Sequence, residues 1–193
     1  LLFIFTSYSA DFASDSLIKR VESKYNRFAK NRFIALNELL KKLEKENIST
    51  KLEKVNDFFN NVGYGDDKKV YGVNDYWATP YEFLARDKGD CEDYVIGKYF
   101  ALKYLGVPTS KMFLSYVRVD GAKDAYMVLT YFDTPSSEPL VLDSIRRIIF
   151  PASKRTDLKP IYNFNPNILD NGGKTAAHKK WDELLKRIQE NKI

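Results

Sequence analysis

The sequence predicts an α+β fold, with helices in its first part and an antiparallel sheet after them. Two observations carry this. Apolar residues recur at spacings of three and four as far as Gly106, and from Met112 they gather into short runs rich in β-branched and aromatic residues, separated by turn signals. With 193 residues, 44% of them hydrophobic, the chain can bury one ordinary core and is short for two, so residues 14–193 are expected to form one domain.

The first helical stripe spans residues 17–43. Leu17, Ile18, Val21, Tyr25, Phe28, Leu36, Leu39, Leu40 and Leu43 lie on one face between Lys, Arg and Glu, and a break is expected near Asn31. Thr50 and Glu53 have capping-box spacing, which opens a second helix with Leu52, Val55, Phe58, Phe59 and Val62 on its face. After a loop rich in Gly and Asp, Thr79, Pro80 and Glu82 take the cap, first-turn and third-residue places of a short helix. A further helix begins at Cys91 and runs through Tyr94, Val95, Tyr99, Phe100 and Leu102 to Gly106, where glycine and then Pro108 stop it. Strands follow at 112–119, 125–132 and 140–143, the first two joined by the Asp120-Gly121 turn signal. The tail reads as segments broken by Pro151, Pro160 and Pro166, then an amphipathic helix carrying Trp181, Leu184, Leu185 and Ile188.

Residues 1–13 read as the remnant of a signal peptide, because the apolar run from Leu1 to Phe5 leads into the small and polar Thr6, Ser7, Ser9 and Ala10; an apolar first strand is the alternative. No later stretch approaches the ~20 apolar residues of a membrane span, so export without a membrane anchor is expected. The 31 basic residues interleave with 26 acidic ones, so the net charge of +5 reads as a solvated surface and no nucleic-acid partner is expected. Cys91 is the single cysteine, which excludes an internal disulfide.

That cysteine sits in Gly89-Asp90-Cys91-Glu92-Asp93-Tyr94, at a helix start whose unpaired N–H groups and dipole favour a thiolate. A lone buried cysteine is equally a small core residue. The flanking carboxylates oppose a thiolate by like-charge repulsion. A hard cation held by Asp90 and Asp93, with Glu92 as a weaker ligand, would cancel that repulsion, and oxygen ligands suit calcium. Alternatively Asp90 only caps the helix, with Glu92 and Asp93 favourably placed in its first turn.

Several blocks together resemble the LapG-type bacterial transglutaminase-like cysteine proteinases. They are Val55-Asn56-Asp57-Phe58-Phe59-Asn60, Asp75-Tyr76-Trp77-Ala78-Thr79-Pro80, the Cys91 segment, Leu105-Gly106-Val107-Pro108, Pro139-Leu140-Val141-Leu142-Asp143 and Arg155-Thr156-Asp157-Leu158-Lys159-Pro160. The resemblance implies a papain-like, transglutaminase-like fold and a calcium-dependent periplasmic peptidase that cuts the N-terminal region of a large surface adhesin at a dialanine site, releasing biofilm. It implies an inner-membrane cyclic-di-GMP receptor of LapD type as a partner. By resemblance Cys91 is the nucleophile, Asp143 the orienting carboxylate, and Asp90 and Asp93 match acidic positions of the calcium site, with Glu92 a weaker candidate. Tyr126 stands where the family has its histidine. A phenol of pKa ~10 is a poor general base near neutrality, so impaired activity is expected, with a calcium-binding pseudoprotease as the alternative. The single histidine, His178, is expected to be an exposed helix residue outside this site.

Overall fold

In the computed structural model, which describes residues 11–122, 124–168 and 174–193, the first apolar stripe is carried by two helices. Helix α1 (Asp15–Lys24) starts at the Ser14 cap, and α2 (Arg27–Leu43) starts at Asn26, whose side-chain oxygen accepts from Phe28 and Ala29 N–H at 2.9 Å each. The break expected near Asn31 therefore falls at Tyr25 and Asn26. The cap decides this, since Asn26 satisfies two of the four N–H groups a helix start leaves open, while the apolar stripe runs on unchanged. Similarly, α3 (Ile48–Phe59) starts at Asn47, whose side chain accepts from Thr50 N–H at 3.0 Å, so Thr50 lies inside the first turn and is not the cap. Of the expected remnant at residues 1–13, residues 1–10 lie outside the described residues. Ala13 is buried, and its N–H and C=O are paired with the Asn37 side chain.

Strand β1 (Gly63–Tyr64) leads to the single turn α4 (Asp67–Val70). Helix α5 (Pro80–Arg86) has the expected box, Thr79 Oγ1 accepting from Glu82 N–H and Glu82 accepting from Thr79 N–H. Asp87, at φ 57°, turns the chain in the left-handed region into β2 (Lys88–Gly89), which pairs parallel with β1. Helix α6 (Cys91–Tyr104) follows at once. Its flank carries Val95, Ile96, Tyr99 and Leu102 into the core, and at Gly97 it meets the Phe59 ring of α3.

The sheet is built from β3 (Met112–Val119), β4 (Ala125–Tyr131), β5 (Leu140–Leu142), β6 (Phe150–Pro151) and β7 (Leu158–Phe164), in the order β6-β5-β4-β3-β7 with every pair antiparallel. Alternation divides its two faces. Met112, Leu114, Met127, Leu129, Leu142 and Phe164 join the helices in the main core, while Val117, Val128 and Val141 form a second cluster with Tyr126, Ala152 and Leu158. Strand β7 is not anticipated from Pro160, read in sequence as a breaker. It lies at the sheet edge, where a proline's missing N–H costs no ladder bond, and the register with β3 steps from Tyr162 to Pro160 and leaves Ile161 as a bulge. Helix α7 (Ala176–Gln189) closes over α6, with Trp181 stacked on Phe100 at 5.3 Å and edge-on to Tyr99 at 5.1 Å. No described helix is long and apolar enough to cross a membrane.

Gly97 fixes how closely α6 seats on α3. A Cβ there would lie 2.6 Å from the Phe59 ring. Gly97→Ala is expected to cost about 1–3 kcal/mol through overpacking, despite alanine's better helix propensity. A urea midpoint equal to wild type would show that Phe59 moves freely and that the seat is loose.

Candidate active site

Two short strands deliver Cys91. Gly63 N–H bonds to Asp87 C=O at 3.3 Å and Gly65 N–H to Gly89 C=O at 2.9 Å, which pins β2 just before α6. Gly89 is required there by space, because a Cβ would meet Asp93 Oδ2 at 2.4 Å and the Phe83 ring at 2.7 Å. One turn into α6, Tyr94 donates its hydroxyl hydrogen to Val62 C=O at 2.6 Å and anchors the helix start to the chain before β1.

Three carboxylates, Asp67, Asp90 and Asp93, offer oxygens that lie within 4.8 Å of one another. Sequence reasoning found Asp90 and Asp93 and missed Asp67, whose only signal was a Gly- and Asp-rich loop. Asp93 Oδ1 accepts from Ala78 N–H at 2.8 Å, and Asp67 Oδ2 accepts from Tyr76 N–H at 2.5 Å. Among the described residues, Asp67 Oδ1 and Asp90 Oδ1 are buried without a hydrogen-bond partner. Burial, then neighbouring negative charge, pushes the Asp90 carboxyl up to about 9; burial likewise raises Asp93 well above the carboxylate range and raises Asp67. Two orphaned oxygens in an oxygen-only cluster with raised carboxyls fit a hard cation. Glu92 lies outside this trio: its Oε2 accepts the thiol hydrogen of Cys91 at 2.8 Å. Burial first, and Glu92 second, raise the Cys91 thiol far above its ordinary value, against a smaller opposing contribution from the Met127 backbone.

On the sheet side, Tyr126 donates to Asp143 Oδ1 at 2.7 Å and lies 2.6 Å from Ser144 Oγ. With the phenol hydrogen committed to Asp143, the Ser144 hydroxyl donates to the phenol oxygen. Asp143 is 1% exposed; its Oδ1 also accepts from Ile145 N–H at 2.9 Å, and its Oδ2 pairs with the Arg155 guanidinium at 2.7 Å. Arg155 in turn holds Asp157 through two N–H bonds of 3.0 and 2.9 Å. Asn60, the C-cap of α3, donates to Asp143 C=O at 2.8 Å. Ser144, Asn60 and Arg155 carried no chemical signal of their own in the sequence. Burial, followed by the Asp143 charge, raises the Tyr126 phenol far above its ordinary value. The hydrogen bonds of Tyr126 thus go to Asp143 and Ser144 and the side-chain bond of Cys91 to Glu92, and none joins the two among the described residues.

His178 is not the exposed residue expected. It is 4% exposed, its Nδ1 serves the Thr175 cap, and its Nε2 lies 3.0 Å from Ile168 C=O, so both ring nitrogens have structural partners.

The model of the bacterial transglutaminase-like cysteine proteinases matches residues 28–159. The chain belongs to this family. Among solved structures it is similar to LapG of Legionella pneumophila, with 39% identity, a TM-score of 0.79, and coverage of 93% of this chain and 99% of that one. The same protein after EGTA treatment gives 38% identity and a TM-score of 0.79 over 93% and 100% of the two chains. Its calcium-bound form gives 39% and 0.76 over 90% and 98%. A search of curated proteins finds no match. The helices-then-sheet architecture is therefore the transglutaminase-like fold of this family.

Lys98, on α6, is fully buried and its Nζ has no hydrogen-bond partner among the described residues. Burial lowers it from 10.5 to about 7, against the opposing charges of Asp143 and Asp57. Between those values the unfolded chain binds a proton that the native state does not, so Lys98's contribution to stability improves as pH rises through that window. Lys98→Met is expected to raise stability below pH about 7, by a margin that shrinks toward pH 10.5. A wild-type-to-variant difference in urea midpoint that stays flat across that range would contradict the assignment.

Proposed function

We propose that this chain is a calcium-binding, exported protein that engages the N-terminal region of a large surface adhesin, and that its peptide-cutting chemistry is impaired. The family fold supports the engagement. The observation that carries the impairment is the hydrogen-bond arrangement at the site: the Tyr126 hydroxyl is committed to Asp143 and Ser144, while the Cys91 thiol hydrogen rests on Glu92. Periplasmic location and sequestration by an inner-membrane cyclic-di-GMP receptor of LapD type belong to the same reading.

The nominal reaction of such a site is peptide hydrolysis. Cys91 sulfur would attack the scissile carbonyl, the backbone N–H groups at the start of α6 would receive the oxyanion, and the protonated amine would leave this tetrahedral adduct to give an acyl-Cys91 that water later opens. Each half needs a group that takes a proton and returns it near neutrality. Tyr126 holds its proton far too tightly, and the thiol is itself held neutral by burial. Loss of a triad base costs on the order of 10⁴–10⁶ in rate, enough to turn a peptidase into a binding protein. Amine transfer in place of hydrolysis would meet the same obstacle.

Calcium would be held by Asp67, Asp90 and Asp93, and would neutralise the charge beside Cys91. A solved structure of LapG from Legionella pneumophila is calcium-bound, which supports this choice of ion.

Two measurements test the reading. With an adhesin N-terminal fragment, the wild-type chain is expected to bind in a calcium-dependent way without Cys91-dependent cutting, and Tyr126→His to gain cutting that Cys91→Ala abolishes. Wild-type turnover equal to that of Tyr126→His would overturn the impairment. For the ion, a hundredfold excess over Kd should stabilise the chain by about 2.7 kcal/mol over the chelated form. The raised carboxyls contribute stability that is complete below their ordinary range and is lost as pH rises toward about 9, so the gain from calcium should widen over that interval. Asp67→Asn should weaken calcium binding; unchanged affinity in that variant would remove Asp67 from the ligand set.

A further inference from the structure

Beside the short β1–β2 pair lies a trough that nothing in the reaction uses. A cavity of about 850 Å³ is bounded by Tyr25, Phe28 and Arg32 on one side and by Tyr64, Lys69 and Lys88 on the other. A second cavity of about 360 Å³ adjoins it, sharing Phe28, Arg32 and Asp87. Phe28 and Tyr64 are 61% and 67% exposed, large apolar surface for side chains with no core role.

Charge sets the character of the trough. Arg32, Lys69, Arg86 and Lys88 line it, Arg27 lies 5.1 Å from the Phe28 ring, and the carboxylates facing these five cations are Asp66 and Asp87. Those two are taken by Lys69 at 2.9 Å and Arg32 at 3.2 Å. Arg86 donates to Val70 C=O and stacks over Tyr71 at 5.1 Å, so Arg27, Arg86 and Lys88 have no carboxylate partner among the described residues. A cationic surplus over an apolar floor selects acidic chain with an apolar residue in it.

Backbone geometry sets the direction. The parallel pairing with β2 uses Gly63 and Gly65, so the N–H and C=O of Tyr64 point to the free edge, and both β1 residues are exposed. Tyr64 stands opposite Gly89, two residues before Cys91. An extended segment added to this edge would run along β1 from the cationic trough toward the end of the pair that leads into Cys91.

We propose that this trough and the β1 edge form the docking groove for an acidic, extended segment of the protein substrate, adjoining the uncharged bond presented to Cys91. The proposal rests on the adhesin-engaging reading above and names the chemistry of the segment engaged. The carboxylate trio lies at the thiol end, so the acidic stretch belongs toward α2 and an uncharged stretch crosses Cys91.

The test uses the full chain with calcium and a fluorescein-labelled synthetic peptide bearing an acidic run with one Phe on one side of an Ala-Ala step. The control is the same peptide with lysines in the run, and the readout is anisotropy. The acidic peptide should bind more tightly, with affinity that falls as salt rises. The double reversal Arg27→Glu with Lys88→Glu, both exposed, should weaken it about tenfold. Tyr64→Pro, which removes the outward N–H, should weaken both peptides. The rate of Cys91 alkylation should be unchanged in each variant, which controls for folding. Equal binding of the two peptides, wild-type affinity in the double reversal, or no binding at all would overturn the groove. The adhesin reading fails on a different result, the absence of calcium-dependent binding to an adhesin fragment.

Discussion

Burial of Asp67, Asp90 and Asp93 against the first turn of α6 concentrates negative charge that the fold does not itself cancel. The helix start offers some relief, but a dipole contributes about 0.3–1 kcal/mol per charge. Removing a carboxylate from water costs several kcal/mol, so the dipole loses. What remains is protonation or a bound cation, and the raised Asp90 carboxyl shows how strongly the site calls for one or the other. The seat of Cys91 depends on that choice, because Asp93 also receives the Ala78 N–H and so ties the loop before α5 to the helix carrying the thiol.

On the opposite side of the sulfur the charges are balanced. Asp143 is paired with Arg155 and fixed by Asn60 and Ile145, so its carboxylate is oriented before any partner arrives. Tyrosine accepts that arrangement, donating to Asp143 as an imidazole N–H would and filling out its shell with Ser144. It cannot reproduce the second half of the imidazole's work, since a phenol has one oxygen and no basic nitrogen to face the thiol. Tyrosine thus keeps the hydrogen bonds to Asp143 and Ser144 and brings no basic nitrogen to the site.

The parts legible in sequence were those written in local chemistry. The start of α6 was readable from Gly89, Asp90 and the apolar spacing beyond Cys91, and α5 from Thr79, Pro80 and Glu82. Asp67 was not, because it joins Asp90 and Asp93 only after the chain folds back through β1 and β2. Arg155 was invisible for the same reason. Asn26 and Asn47 were overlooked as caps because the stripes continue past one and a better-looking Thr50–Glu53 pair follows the other. His178 was misjudged because its place in the turn of α7 that Thr175 caps gives no sign of the Phe164 ring 4.9 Å away that buries it.

Apart from the acidic cluster, the contacts that seat Cys91 lie away from Tyr126. Seating comes from Phe59 against Gly97, Tyr94 on Val62, the β1–β2 pair and Trp181 over α6, none of which touches Tyr126. The state of the thiol is set elsewhere, by its burial and by Glu92, which accepts its hydrogen. The helix seat, the acidic cluster and the exposed β1 edge therefore rest on residues other than Tyr126.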